Sequence, residues 1–118
     1  MAVYIVVLGF ILADIITGFL KAGYLGDINS TALRKGLFHK ASEICATIGA
    51  GLLEYGAQYV DINIPLPVVN IVATYICVME FVSVLENLCY VNPQLNKLFK
   101  PYLEKLKNGD EKNDNKGN

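Results

Sequence analysis

At 118 residues the chain has room for one small domain or a few membrane helices, and 53% hydrophobic content with a net charge of −1 excludes a disordered polymer and a basic nucleic-acid binder. Mean hydropathy is +0.39, and the ten Lys and Arg residues fall in two blocks, Lys21 to Lys40 and Lys97 to Lys116, with no basic residue between them. A single histidine and the lack of nucleophile or metal motifs argue against an enzyme, so no cofactor, metal or small-molecule substrate is expected.

The first element is the stretch 3–22, Val3 to Ala22, uninterrupted by proline and charged only at Asp14 and Lys21. About twenty residues at ~1.5 Å each match a hydrocarbon core of ~30 Å, so a transmembrane helix is predicted. A carboxylate near mid-bilayer costs roughly 2.5–3.5 kcal/mol on insertion scales, so Asp14 must face protein or water. A cleaved signal would carry basic residues before its apolar run and small residues before the cut. No Lys or Arg precedes Lys21, and Leu20-Lys21-Ala22 is a poor cleavage site.

Gly23 to Ser30 is a turn-rich connector, and either Asn29 or Ser30 can cap the helix that follows. Arg34, Lys35, His39 and Lys40 place positive charge along its first turns, as suits the headgroup layer of an anionic leaflet. With Lys21 they form a basic loop predicted to be cytoplasmic. Residues 41–60 make a weaker second span, interrupted by Glu43, Glu54 and Gln58. Its apolar residues Leu37, Ile44, Ile48, Leu52, Tyr55 and Tyr59 keep near-helical spacing, while Glu43, Thr47, Glu54 and Gln58 form a polar stripe. The segment reads either as an amphipathic helix lying on the membrane or as a span with its polar side toward protein or water. Basic residues concentrate in cytoplasmic loops. Three spans put both basic blocks on one side, whereas two spans leave one block outside, so the charge pattern favours three.

Asp61 to Pro67 is a short external turn whose prolines end the preceding helix. The third span, 68–90, carries Asn70, Thr74, Cys77, Glu80, Ser83 and Asn87 as a slowly drifting polar stripe, with Glu86 nearer the cytoplasmic face. Such residues commonly bond between membrane helices, but Glu80 near mid-span also needs a partner, a proton or water. Asn92-Pro93 then starts an amphipathic helix over 93–107, with a kink expected at Pro101, and 108–118 is a polar tail expected to be disordered. Cys45, Cys77 and Cys89 fit neither a zinc pattern nor a disulfide framework and read as small fillers. Rows of small residues at four-residue spacing, such as Gly9, Ala13 and Thr17, permit close helix approach within one chain or between copies.

The residues Asp14-Ile15-Ile16-Thr17-Gly18 with Lys21, then Ser30, Arg34-Lys35-Gly36-Leu37 and Lys40, then Glu80 to Asn87 before a proline-led amphipathic end, carry a resemblance. In that order the chain resembles the toxin-secretion and phage-lysis holin family. One departure is Leu88-Cys89-Tyr90-Val91-Asn92-Pro93, where a more glycine-containing linker is expected.

The expected fold is an all-α membrane protein of three transmembrane helices, N-terminus out and C-terminus in, with a C-terminal amphipathic helix. The resemblance implies a multi-pass protein of the bacterial cytoplasmic membrane that associates with itself and with lipid. It would open lesions for an endolysin or a large toxin without binding that cargo stably. Asp14, Thr17, Gly18, Glu80, Ser83, Glu86 and Asn87 are the candidate assembly residues, and Glu43, Thr47, Glu54 and Gln58 the candidate lining. Two other functions fit the residues without the resemblance: a narrow ion or proton channel or small transporter subunit, and a non-conducting regulatory subunit.

Overall fold

The fold is given by a computed structural model that describes the backbone of residues 1–116 and the side chains of residues 1–105. Among the described residues it is wholly helical: α1 Ala2–Leu25, α2 Ser30–Gly56, α3 Val68–Val91 and α4 Pro93–Lys116.

Local chemistry sets each boundary. α1 ends at Gly26, whose φ of 69° is the one left-handed residue among those described. Its N–H bonds Gly23 O, and the Asp27 N–H reaches back to Ala22 O at 3.1 Å, closing the helix as a Schellman motif. Of the two caps open to α2, Asn29 is used: its Oδ1 accepts from the N–H groups of Thr31 at 2.9 Å and Ala32 at 3.4 Å. Pro67 precedes α3, and Pro93 opens α4 beneath the Asn92 side chain, which accepts from Gln94 N at 3.1 Å.

Three boundaries differ from expectation. α1 runs on to Leu25, through the first three residues of the connector expected from Gly23. α2 stops at Gly56 rather than near Val60, and Tyr59 N and Val60 N turn back onto Gly56 O at 2.9 and 3.0 Å. Gln58 therefore lies in a turn beyond the helix. The backbone of α4 remains helical to Lys116, past the start of the expected tail at 108–118; the side chains from 106 on and residues 117–118 lie outside the described residues.

α3 is the central helix, packing along α1 and also touching α2 and α4, whereas α1 and α2 meet only slightly. The apolar core is narrow: Val7 and Ile11 of α1 meet Ala73 and Ile76 of α3, flanked by Val3, Ile15, Ile44, Val72 and Cys77. Phe10 and Phe81 add an edge-to-face contact at 6.1 Å. Tyr4 crosses α2 at Gly51, where an added Cβ would come within 2.2 Å of the tyrosine hydroxyl.

By length and apolarity two helices, α1 and α3, suffice to cross a membrane; α2 does not reach that apolarity because it carries Arg34, Lys35, Lys40, Glu43 and Glu54. The distribution of side chains is inverted relative to a water-soluble bundle. Thr17, Lys40, Thr47 and Glu80 are buried, while Leu12, Ile16, Leu52 and Tyr75 are each more than half exposed. α2 follows the same rule despite its composition, turning Lys40, Thr47 and Ala50 inward and Leu37, Phe38, Ile48 and Leu52 outward. In water so continuous an apolar exterior is an association hazard; against hydrocarbon it is the favourable arrangement.

Candidate functional site

The three elements that carry mid-helix charge bring it to one place. Asp14 stands halfway along α1, Glu80 halfway along α3, and Lys40 in the third turn of α2. The Lys40 ammonium donates to Asp14 Oδ2 and, at 2.8 Å, to Glu80 Oε2. Side-chain exposure is 11% for Lys40, 16% for Asp14 and 4% for Glu80, so water screens these pairs weakly. One cation thus bridges two helices that each bury an acid, and it ties α2 to α1, which it otherwise touches little.

Asn87, two turns beyond Glu80 on α3, extends the cluster. Its Nδ2 donates to Asp14 Oδ1 and to Thr17 Oγ1, both at 3.1 Å. The Thr17 hydroxyl donates back to Ala13 O at 2.9 Å, within its own helix. Gly18 lies beside the same amide; a Cβ there would sit 3.9 Å from Asn87 Nδ2, an ordinary contact. Asp14, Thr17, Gly18, Glu80 and Asn87 are therefore brought together, as a sequence reading of mid-span polarity suggests. Ser83 and Glu86 line a cleft of about 600 Å³ that also borders Asp14, Lys40 and Asn87. Lys21 lies on that cleft too, its ammonium 4.0 Å from the centre of the Tyr90 ring.

The stripe on α2 is split. Thr47 is buried and donates to Glu43 O at 2.9 Å. Glu43 Oε1 pairs with His39 Nε2 at 2.8 Å, and Glu43 Oε2 is buried with no hydrogen-bond partner. Glu54 accepts the Val69 N–H at 3.0 Å, supplying the first turn of α3 with a cap that Pro67 has no side-chain donor or acceptor to give. Gln58 is exposed in the turn and joins none of them. On α3, Asn70 and Thr74 stand apart from Glu80, bordering a shallow apolar recess beside Ala2 and Val6.

Lys21 of α1 and Arg34, Lys35 and Lys40 of α2 are helix residues rather than members of a loop; Arg34 and Lys35 are exposed, but Lys40 is not. It is buried within the bundle, because Asp14 and Glu80 offer it two carboxylates that would otherwise lack a counter-charge. Sequence reasoning missed this partnership and the His39–Glu43 pair. The signals were present: Lys40 directly precedes the second apolar stretch, and His39 and Glu43 stand four residues apart on one helix face.

A helical bundle with an apolar exterior, charged residues paired inside it and two helices of membrane-spanning length is a membrane protein by class. Residues 1–108 match the bacteriophage holin family, and the chain belongs to that family, whose members are membrane proteins and not enzymes. No curated protein and no solved structure matches it.

Proposed function

We propose that this chain is a hole-forming holin of the bacterial cytoplasmic membrane, which associates with copies of itself and opens lesions through which a lytic enzyme or a large toxin leaves the cell. The observation that supports this best is the inverted burial: polar groups are paired inside a thin bundle while its exterior is apolar. A unit of this kind is stable in lipid when closed and carries, within each copy, the polar surface that a water-filled wall requires.

We read α2 as a third span, with the N-terminus outside and the C-terminus cytoplasmic. Two things favour it: the confinement of Lys and Arg to two blocks, and the outward-facing Leu37, Ile48 and Leu52 on α2. A thiol label at the 61–67 turn should then react from outside the cell. Reaction there only after the membrane is broken would overturn the orientation.

In the closed unit the inner part of the α2 stripe, Glu43, Thr47 and Glu54, packs toward α3, and on clustering it turns to water and lines the opening together with the polar side of α3. Cysteines at positions 47 and 54, in a background without Cys45, Cys77 and Cys89, should become reactive to an impermeant reagent on lysis, while 48 and 52 stay protected and 58, already exposed in the turn, reacts before and after alike. Uniform labelling around the helix argues that α2 is not the wall. The deciding experiment expresses the chain in bacteria and asks whether a folded cytosolic protein escapes. Leakage of ions and protons alone would favour a narrow channel.

A further inference from the structure

We propose that His39, Glu43 and Glu80 form a binding site for a divalent transition-metal ion of the zinc type. His39 and Glu43 are one helical turn apart on α2, and Glu80 faces them from α3. One ligand atom from each lies within 4.8 Å of the others. Zinc bonds of roughly 2.0–2.2 Å place ligand atoms about 3.3 Å apart, so changes of rotamer are enough to close the site.

Two further observations point to a cation here. Glu43 Oε2 is buried and has no hydrogen-bond partner, an expensive state for a carboxylate oxygen. The cluster also holds three carboxyl groups, Asp14, Glu43 and Glu80, against one ammonium, and Lys40 is already engaged by Asp14 and Glu80. With His39 neutral, as a metal ligand must be, a divalent ion supplies the two positive charges that the cluster lacks. Lys40 holds Glu80 through Oε2, so a metal bond through Oε1 leaves that contact in place.

The ligand set selects the ion. One imidazole nitrogen with two carboxylates suits zinc, which takes three protein ligands and completes its shell with water. Calcium wants six to eight oxygens and magnesium a near-ideal octahedron, and this site offers neither. His39 is 72% exposed, so an ion reaches the site from the surface of the bundle rather than through its packed core.

Binding is independent of hole formation, and its test reads binding alone. The full chain, with all three cysteines replaced by serine so that no thiol competes, is reconstituted in lipid nanodiscs, stripped with chelator and titrated with zinc, magnesium or calcium by calorimetry. Metal retained after desalting is then measured. The expected result is one zinc per chain, no heat with magnesium or calcium, and binding at least tenfold weaker in His39→Gln and in Glu43→Gln. His39 is exposed, so His39→Gln leaves the helices intact, which circular dichroism checks. Absence of stoichiometric zinc, or equal affinity in His39→Gln, overturns the site and leaves protons as the cluster's counter-charge.

Discussion

Replacing Lys40 with methionine tests whether the interior of this bundle is held by charge or merely by hydrogen bonding. Methionine keeps length and helix propensity but leaves two carboxylates facing each other with no cation. Asp14 retains only its bond from Asn87, and Glu80 loses the ammonium at 2.8 Å while its side chain is 4% exposed. Removing one partner of a buried pair costs about 3–5 kcal/mol, because the remaining charge is left uncompensated. A neutral hydrogen bond between membrane helices is worth only ~0.6 kcal/mol on average and ~1.7 at most. The two accounts are far enough apart to separate. Lys40→Met should shift the unfolding equilibrium on the order of a hundred- to several-thousandfold. Lys40→Met combined with Asp14→Asn and Glu80→Gln should recover most of that loss, since no charge is then stranded. Reversible unfolding in mixed micelles, followed by circular dichroism across a denaturing-detergent series, measures both. A loss below about 1 kcal/mol for the single variant, or a triple variant no better than the single, refutes the ionic account.

Three other outcomes are expected. Asp14→Asn keeps an acceptor for one of its two donors, Lys40 or Asn87, and should lyse cells with altered timing, whereas Asp14→Leu should insert readily and fail to lyse; culture turbidity after induction distinguishes them. Gly51→Ala should disturb the crossing of α1 and α2, and Tyr4→Phe should rescue it, because the 2.2 Å clash is with the hydroxyl and the next ring atom lies at 3.3 Å. Thermal melts of the two single variants and the double variant read that rescue. Glu54→Ala should cost about 1 kcal/mol and speed amide exchange at Val69, with Glu54→Gln close to the parent, as for loss and retention of a helix cap.

The helices were legible where covalent chemistry or an unbroken apolar run marks them. Pro67 and Pro93 place the starts of α3 and α4, and the apolar stretch 3–22 marks all but the last turn of α1. Asp14, Glu80 and Asn87 stood out for a similarly local reason, since a polar group amid apolar residues announces a need for partners. Which partner answers is a three-dimensional matter. Lys40 sits in a run with Arg34, Lys35 and His39, and nothing in that run says that one ammonium of the four basic groups turns inward. The turn at Gly56 was hidden as well: Gln58 continues the polar spacing of α2, but Glu54 must reach Val69, and the chain leaves the helix to bring α3 alongside. The apolarity of α2 misleads in the opposite sense, because Lys40 and Glu43 turn inward while Leu37, Phe38, Ile48 and Leu52 face out.

The bridge through Lys40 also bears on how the chain is made. Asp14 emerges from the ribosome 26 residues before Lys40, and Glu80 follows 40 residues after it. The first helix must therefore enter the insertion machinery with an acid that has no counter-ion, and the lysine that relieves it is synthesised next. When the third helix arrives, its own acid meets a hairpin already carrying the required ammonium. A nascent chain stalled just after α2 should integrate its first helix more completely than one stalled just after α1, and Lys40→Met should erase the difference. Glycosylation-site mapping on the stalled chains would show it, and equal integration at both lengths would mean that the acid is tolerated without help during synthesis.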